Sequence, residues 1–90
     1  MVMTEVLGLI VRERDRQERL RAEGKFSETC ASITMSPHVK LAVLMEEVGE
    51  VATELCEPSR LSAVKLRNEL IQVAAVCVAW LESMEGGSHT

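Results

Sequence analysis

Residues 71–81, IQVAAVCVAWL, carry no charge, and Gln72 is the one polar side chain among them. Read as a helix, this segment is apolar on every side and needs partners all round. Val, Ala and Cys would also suit a strand, but the length of the run and its lack of turn residues favour helix. The chain has only 90 residues, enough for one small domain. A chain of this size buries roughly 64% of the surface its unfolded form exposes. A single copy therefore has difficulty enclosing such a segment. The expected fold is all-α: an antiparallel helical hairpin plus an N-terminal helix, completing a four-helix-type bundle by oligomerisation.

The rest of the chain reads as two further helices. The first spans about 4–22, with apolar Val6, Leu9, Ile10 and Leu20, and Gly24 as its stop. Its second half, RERDRQERLRAE, reads as a solvated face, with Asp15 and Arg19 as an ion pair one turn apart. Residues 25–36 show no periodicity and read as a loop. Ser36 caps the second helix and Pro37 occupies its first position. Leu41, Leu44, Met45, Val48, Val51, Ala52 and Leu55 follow at helical spacing, and Pro58 ends the run. The third helix is expected from near Ser59 to about Met84, stopped by Gly86 and Gly87. Residues 1–85 make one domain, and 86–90 a flexible tail.

Composition removes several function classes. Phe26 and Trp80 are the only aromatic residues, which disfavours base-stacking platforms for single-stranded nucleic acid. The net charge of −4 disfavours binding to a phosphate backbone. The apolar stretch 70–81 is too short to span a bilayer. Residues 1–10 lack a basic start and are interrupted by Glu5, unlike a signal peptide. Cys30, Cys56 and Cys77 are odd in number and form no CxxC pair. Cys56 and Cys77 read as small core residues of a reducing, cytoplasmic setting.

The net charge has one address. Residues 1–36 and 59–90 are each balanced. In 37–58, Lys40 alone opposes Glu46, Glu47, Glu50, Glu54 and Glu57. Glu47, Glu50, Glu54 and Glu57 fall on one stripe of the second helix, with Glu46 beside Glu50. Such an unpaired stripe is either solvated or holds a cation. On the third helix Glu69 and Gln72 lie three apart on one face. In a short-looped hairpin, Glu50 and Glu69 each stand about ten residues from the turn, and Glu47 pairs with Gln72 in the same way. This grouping of oxygen ligands suits Mg²⁺ or Mn²⁺. Neither His38 nor His89 has the spacing of a di-iron bundle. Glu54 and Glu57 face no acidic counterpart and are assigned to solvent.

Residues 40–55, KLAVLMEEVGEVATEL, and 66–82, LRNELIQVAAVCVAWLE, together resemble the MazG-like all-α nucleoside triphosphate pyrophosphohydrolases. That family's signature is EExxE, a spacer, then ExxD. In this chain it reads Glu46-Glu47-Val48-Gly49-Glu50, eighteen residues, then Glu69-Leu70-Ile71-Gln72. The loop from Lys25 and Phe26 to Thr29 and Cys30 also resembles phage-associated and bacterial members. The resemblance implies Mg²⁺-dependent cleavage between the α and β phosphates of a nucleoside triphosphate, giving a monophosphate and pyrophosphate. It implies a homodimer or homotetramer. Carried over, Glu46, Glu47, Glu50 and Glu69 are the catalytic carboxylates, and Glu47, Glu50, Glu69 and Gln72 the metal ligands. Glu46 would ligate the metal or orient the attacking water. Lys65, Lys40 and Lys25 are candidate phosphate contacts, with Arg67 behind them. Lys65 has a salt bridge to Glu69 as its other reading. Phe26 is a candidate for stacking on a base, whereas Trp80 reads as core. Gln72 stands where the family pattern has Asp. It keeps one oxygen but removes one charge, so the alternative is a catalytically weak or inactive module that binds a nucleotide or a protein partner.

Overall fold

The computed structural model describes residues 1–57 and 62–87. Among them are three helices and no strand: α1 (Met3–Ala22), α2 (Pro37–Cys56) and α3 (Ala63–Gly87).

Local chemistry accounts for the described ends. At the C-terminus of α1, Gly24 takes φ +79°. Its N–H donates to the Arg21 carbonyl at 3.0 Å, and the Lys25 N–H donates to the Leu20 carbonyl at 2.8 Å. That paired closure needs a left-handed residue, which glycine adopts without steric cost. Ser36 caps α2, its Oγ accepting from the Val39 N–H at 3.2 Å, and Pro37 follows as the first helical residue. Ser62 does the same for α3, accepting from the Lys65 N–H at 3.3 Å. The expected stop at Pro58 and start near Ser59 lie outside the described residues. α3 continues through Gly86 to Gly87, past the expected end at Met84. Residues 88–90 of the expected tail also lie outside the described residues.

α3 is the central element. Both α1 and α2 pack against it, and they make no backbone-level contact with each other. Near the start of α2, Lys40 donates from Nζ to Ser83 Oγ near the end of α3, at 2.5 Å. Further along α2, Glu47 and Glu50 meet Glu69, which lies early in α3. α1 is fastened by Arg14, whose Nε donates to Glu82 Oε2 at 2.6 Å, and whose other nitrogens reach Gln17 and Glu18.

Residues 25–36 are more than a connection. Cys30 is buried against Val76 and Ala79 of α3, with Ala31, Met35, Val43 and Leu44 packed around them. Thr29 is buried as well and donates to Glu18 Oε2 at 2.7 Å. Burial alone would lift the Glu18 carboxyl, yet hydrogen bonds from Thr29, Arg14 and Arg21 hold it down to about 2.

Four expectations need correction. Cys56 is exposed and Cys77 half-buried, so Cys30 is the core cysteine. Cys56 is the last residue of α2. Asp15 and Arg19 form no ion pair among the described residues. Instead α1 is laced by Glu13–Arg16, Arg14–Glu18 and Glu18–Arg21. The charge run is not wholly solvated, because Arg14 and Gln17 are buried. Glu54, expected in solvent, is only 9% exposed; Glu57 is exposed as expected.

Candidate metal centre

Two helices that pack on a third without meeting leave a gap, and the loop roofs it. The result is a cavity of about 410 Å³. α1 contributes Arg16 and Gln17, and α2 contributes Val43, Glu47 and Glu50. α3 contributes Glu69, Gln72 and Val76, while Phe26, Glu28, Thr29, Cys30 and Met35 come from the loop. Acidic side chains thus share one cavity with an apolar lining.

Glu47, Glu50 and Glu69 each offer a carboxylate oxygen, and these oxygens lie within 4.8 Å of one another. No lysine or arginine forms an ion pair with any of the three among the described residues. The electrostatic strain is visible in the protonation of Glu69 and Glu47. A hydrogen bond with Glu50, burial and the charges of Glu50, Glu47 and Glu54 raise Glu69 to about 7. Burial, followed by the charge of Glu50 and a hydrogen bond with it, pushes Glu47 up as well. Carboxylates forced this close retain a proton unless a cation replaces it.

The donor set can be tested for a hard cation. Glu47 Oε2 and Glu69 Oε2 are buried and have no hydrogen-bond partner among the described residues. Orphaned, anionic, oxygen-only donors converging within one coordination sphere match what Mg²⁺ or Mn²⁺ requires. The residues fit such an ion.

The other candidate residues are placed as follows. Glu46 is exposed on α2, outside this trio, and acts on it only by raising Glu47 through its charge. Gln72 lines the cavity, close enough to Glu13 to help lower that carboxyl. Lys40 is 4% exposed, turned toward Ser83 and away from the cavity lining. Its position on α2 lies on the α3-facing side but two turns before the acidic trio. Lys65 and Arg67 are exposed and outside the lining, and Lys65 makes no ion pair with Glu69 among the described residues. Lys25 is exposed in the turn after α1, also outside the lining. Phe26 lines the cavity and Trp80, half-buried, does not.

Sequence reasoning passed over Arg16 and Glu13. Arg16 donates from Nε and an Nη to the two Glu13 oxygens, both at 2.8 Å. Burial alone would lift Glu13, but this pairing, with a bond from Gln17 and with Gln72 close by, holds it below the usual carboxylate range. Arg16 also feels the charge of Glu47. It is the one basic side chain of the cavity lining among the described residues. The spacing of Glu13 and Arg16 was a helical-pair signal, but it could not say which side of α1 faced the cavity.

Comparison with models of protein families, with curated proteins and with solved structures finds no significant match to the chain.

Proposed function

We propose that this chain is a MazG-like, Mg²⁺-dependent nucleoside triphosphate pyrophosphohydrolase, cleaving between the α and β phosphates to release a nucleoside monophosphate and pyrophosphate. The observation that carries this reading is the convergence of the Glu47, Glu50 and Glu69 oxygens, with no ion pair to a base among the described residues, at one side of a partly apolar cavity. An acidic surface would repel a triphosphate. Acidic ligands charged with cations would attract it.

Mg²⁺, with Mn²⁺ as a substitute, would be held by Glu47, Glu50 and Glu69. When bound it supplies neutralisation of phosphate charge and a more acidic water. Glu69, raised to about 7 beside Glu50, holds a proton that cation binding must displace, so its protonation would track occupancy. Glu46, exposed beside Glu50, is available to accept a proton from the attacking water. Arg16 supplies a forked donor suited to phosphate oxygens once it releases Glu13. Phe26, Met35 and Val76 provide an apolar wall for the nucleoside and keep water from it.

The finer architecture is part of the same reading. α2 and α3 form an antiparallel hairpin, supported by the Lys40–Ser83 contact at one end and the Glu50–Glu69 approach further along. A homodimer or homotetramer completes a four-helix-type bundle. Leu41, Met45, Val48 and Leu55 fall on one side of α2, roughly opposite the glutamates, and all are exposed, from 39% to 55%. The accessible surface of 6230 Å² exceeds the roughly 5,200 Å² of a folded monomer of this mass. The excess is comparable to the ~800 Å² that each partner contributes to an ordinary interface. No helix among the described residues is long and apolar enough to cross a membrane; we assign the protein to the cytoplasm.

The test is pyrophosphate release across a panel of canonical and modified nucleoside triphosphates with Mg²⁺ and with Mn²⁺. Turnover that is lost in Glu50→Gln and Glu69→Gln is the expected result. Absence of turnover with both ions overturns the enzymatic reading. The second reading, a catalytically weak or inactive module that binds nucleotide or a protein partner, is favoured by Gln72, whose amide lines the cavity but supplies no charge. It predicts nucleotide or partner binding without hydrolysis.

A further inference from the structure

Arg16 is the one basic side chain of the cavity lining among the described residues, and its charge is already matched. Its Nε and one Nη donate to the two oxygens of Glu13, one helical turn earlier, both at 2.8 Å. The two partners differ in freedom. The Glu13 side chain is 10% exposed and that of Arg16 44%. Glu13 is also held from within the fold. Its Oε2 accepts from Gln17 Nε2 at 3.2 Å, and Gln17 Oε1 in turn accepts from Arg14, which is fixed to Glu82 on α3. The carboxylate is therefore the anchored half of the pair, and it keeps a donor when Arg16 leaves. The guanidinium is the movable half, carried on a long flexible stem with water on one side. Its charge also interacts with Glu47, so the acidic trio is its other electrostatic neighbour in the cavity.

We infer that the Glu13–Arg16 pair is a latch on the cavity, in which Glu13 competes with the oxygens of an incoming polyphosphate for the guanidinium of Arg16. The inference deepens the phosphate-binding reading proposed above and rests on it. Glu13 and a phosphate present the same feature to arginine, two anionic oxygens side by side. A phosphate that takes the Nε edge of Arg16 must first displace Glu13. The donors left over at the outer edge belong to a guanidinium whose charge Glu13 neutralises, so they attract an anion weakly while the latch is closed. Reclosure has the reverse effect: Glu13 reclaims Arg16 from a bound polyphosphate and so assists its departure.

The experiment is calorimetric titration of the full chain with inorganic pyrophosphate at a fixed MgCl₂ concentration. Glu13→Gln, which keeps the shape and an acceptor for Gln17, should tighten binding by about threefold to tenfold. Damage to the fold would weaken binding, so a gain separates the latch from a merely structural role. Arg16→Ala should weaken binding by about tenfold. Adding Glu13→Gln to Arg16→Ala should then change affinity by less than about twofold, because the two residues act as one unit. Asp15→Asn removes the same charge from an exposed position on the same helix, and should also stay within about twofold. If Glu13→Gln does not fold, Glu13→Asp, too short to span both Arg16 nitrogens, takes its place with a smaller gain expected. Unchanged or weaker binding in Glu13→Gln overturns the latch. A gain that persists without Arg16, or an equal gain in Asp15→Asn, overturns it too, since bulk charge would then explain the effect. No pyrophosphate binding by either the unaltered chain or Glu13→Gln overturns both this inference and the reading it rests on. A gain that depends on Arg16, without nucleotide turnover, supports the inference and removes only the hydrolase.

Discussion

The Glu50 and Glu69 carboxylates, on two different helices, bring oxygens within 4.8 Å of each other, and hydrogen bonding between them is the largest cause lifting Glu69 to about 7. A carboxyl so raised is protonated in the folded protein at a pH where an unfolded chain has lost the proton. Its contribution to stability is present below the ordinary carboxylate value of 4.5 and is lost as pH climbs to about 7. The metal-free protein should melt at a lower temperature as pH rises through that window. Glu69→Gln should flatten the profile, and so should saturating Mg²⁺, which takes the place of the proton. Melting curves across the window, with and without the ion, check this. A profile in Glu69→Gln as steep as in the unaltered chain contradicts it.

Arg14 joins α1 to α3 through Glu82 and α1 to the loop through Glu18, which Thr29 also reaches. Its side chain is 7% exposed. Arg14→Ala should cost about 2–3 kcal/mol, because the buried donors of one residue serve several acceptors. Lysine cannot reproduce the fork, so Arg14→Lys should recover only part of this. Glu18, held at about 2, stabilises the fold above 4.5 and loses that contribution as pH falls toward its folded value. Arg14→Ala should therefore unfold at a higher pH in acid titration. Urea denaturation and acid titration followed by circular dichroism measure both effects.

Arg16 is the test of which base meets the substrate. Losing one charge-assisted donor set to phosphate is worth about 1.5–3 kcal/mol, or roughly tenfold or more in rate. Arg16→Ala should lower kcat/KM by that factor. Arg67→Ala, altering an exposed side chain outside the cavity, should change it by less than about twofold. Equal losses in the two variants would place phosphate recognition elsewhere.

The exposed side of α2 should mediate self-association. Met45→Glu and Val48→Glu put charge at the middle of that stripe, where the side chains are 55% and 39% exposed. In one copy neither substitution disturbs buried packing. The unaltered chain should elute as a multiple of 10.0 kDa, and each variant should shift toward the monomer while remaining helical. Light scattering coupled to size exclusion reads the result directly. A monomeric unaltered chain would leave the apolar stripe without its expected partner.

Helix identity was legible wherever local chemistry decides it. Ser36-Pro37 and Gly24 mark ends that depend on a side-chain acceptor and on a left-handed residue, and both act within a few residues of themselves. The approach of Glu47, Glu50 and Glu69 was expected from their spacing, and their oxygens lie within 4.8 Å of one another. The loop was not legible. Cys30 and Thr29 are buried by the distant residues they touch, and a stretch without periodicity offers no sign of that. Glu54 was misjudged for a related reason: a stripe position tells which way a side chain leaves its helix, not what lies there.

The sequence by itself determined three helical segments, their described caps and the concentration of negative charge on the second, all consequences of backbone geometry and nearest neighbours. Only the tertiary structure decided how that charge is used. It set α3 between two helices that do not meet and roofed the gap with the loop. It buried Glu54, brought Gln72 into the cavity lining and kept Lys40 at Ser83. Those outcomes depend on which surfaces exclude water together, and desolvation is a property of the assembled fold rather than of any one segment.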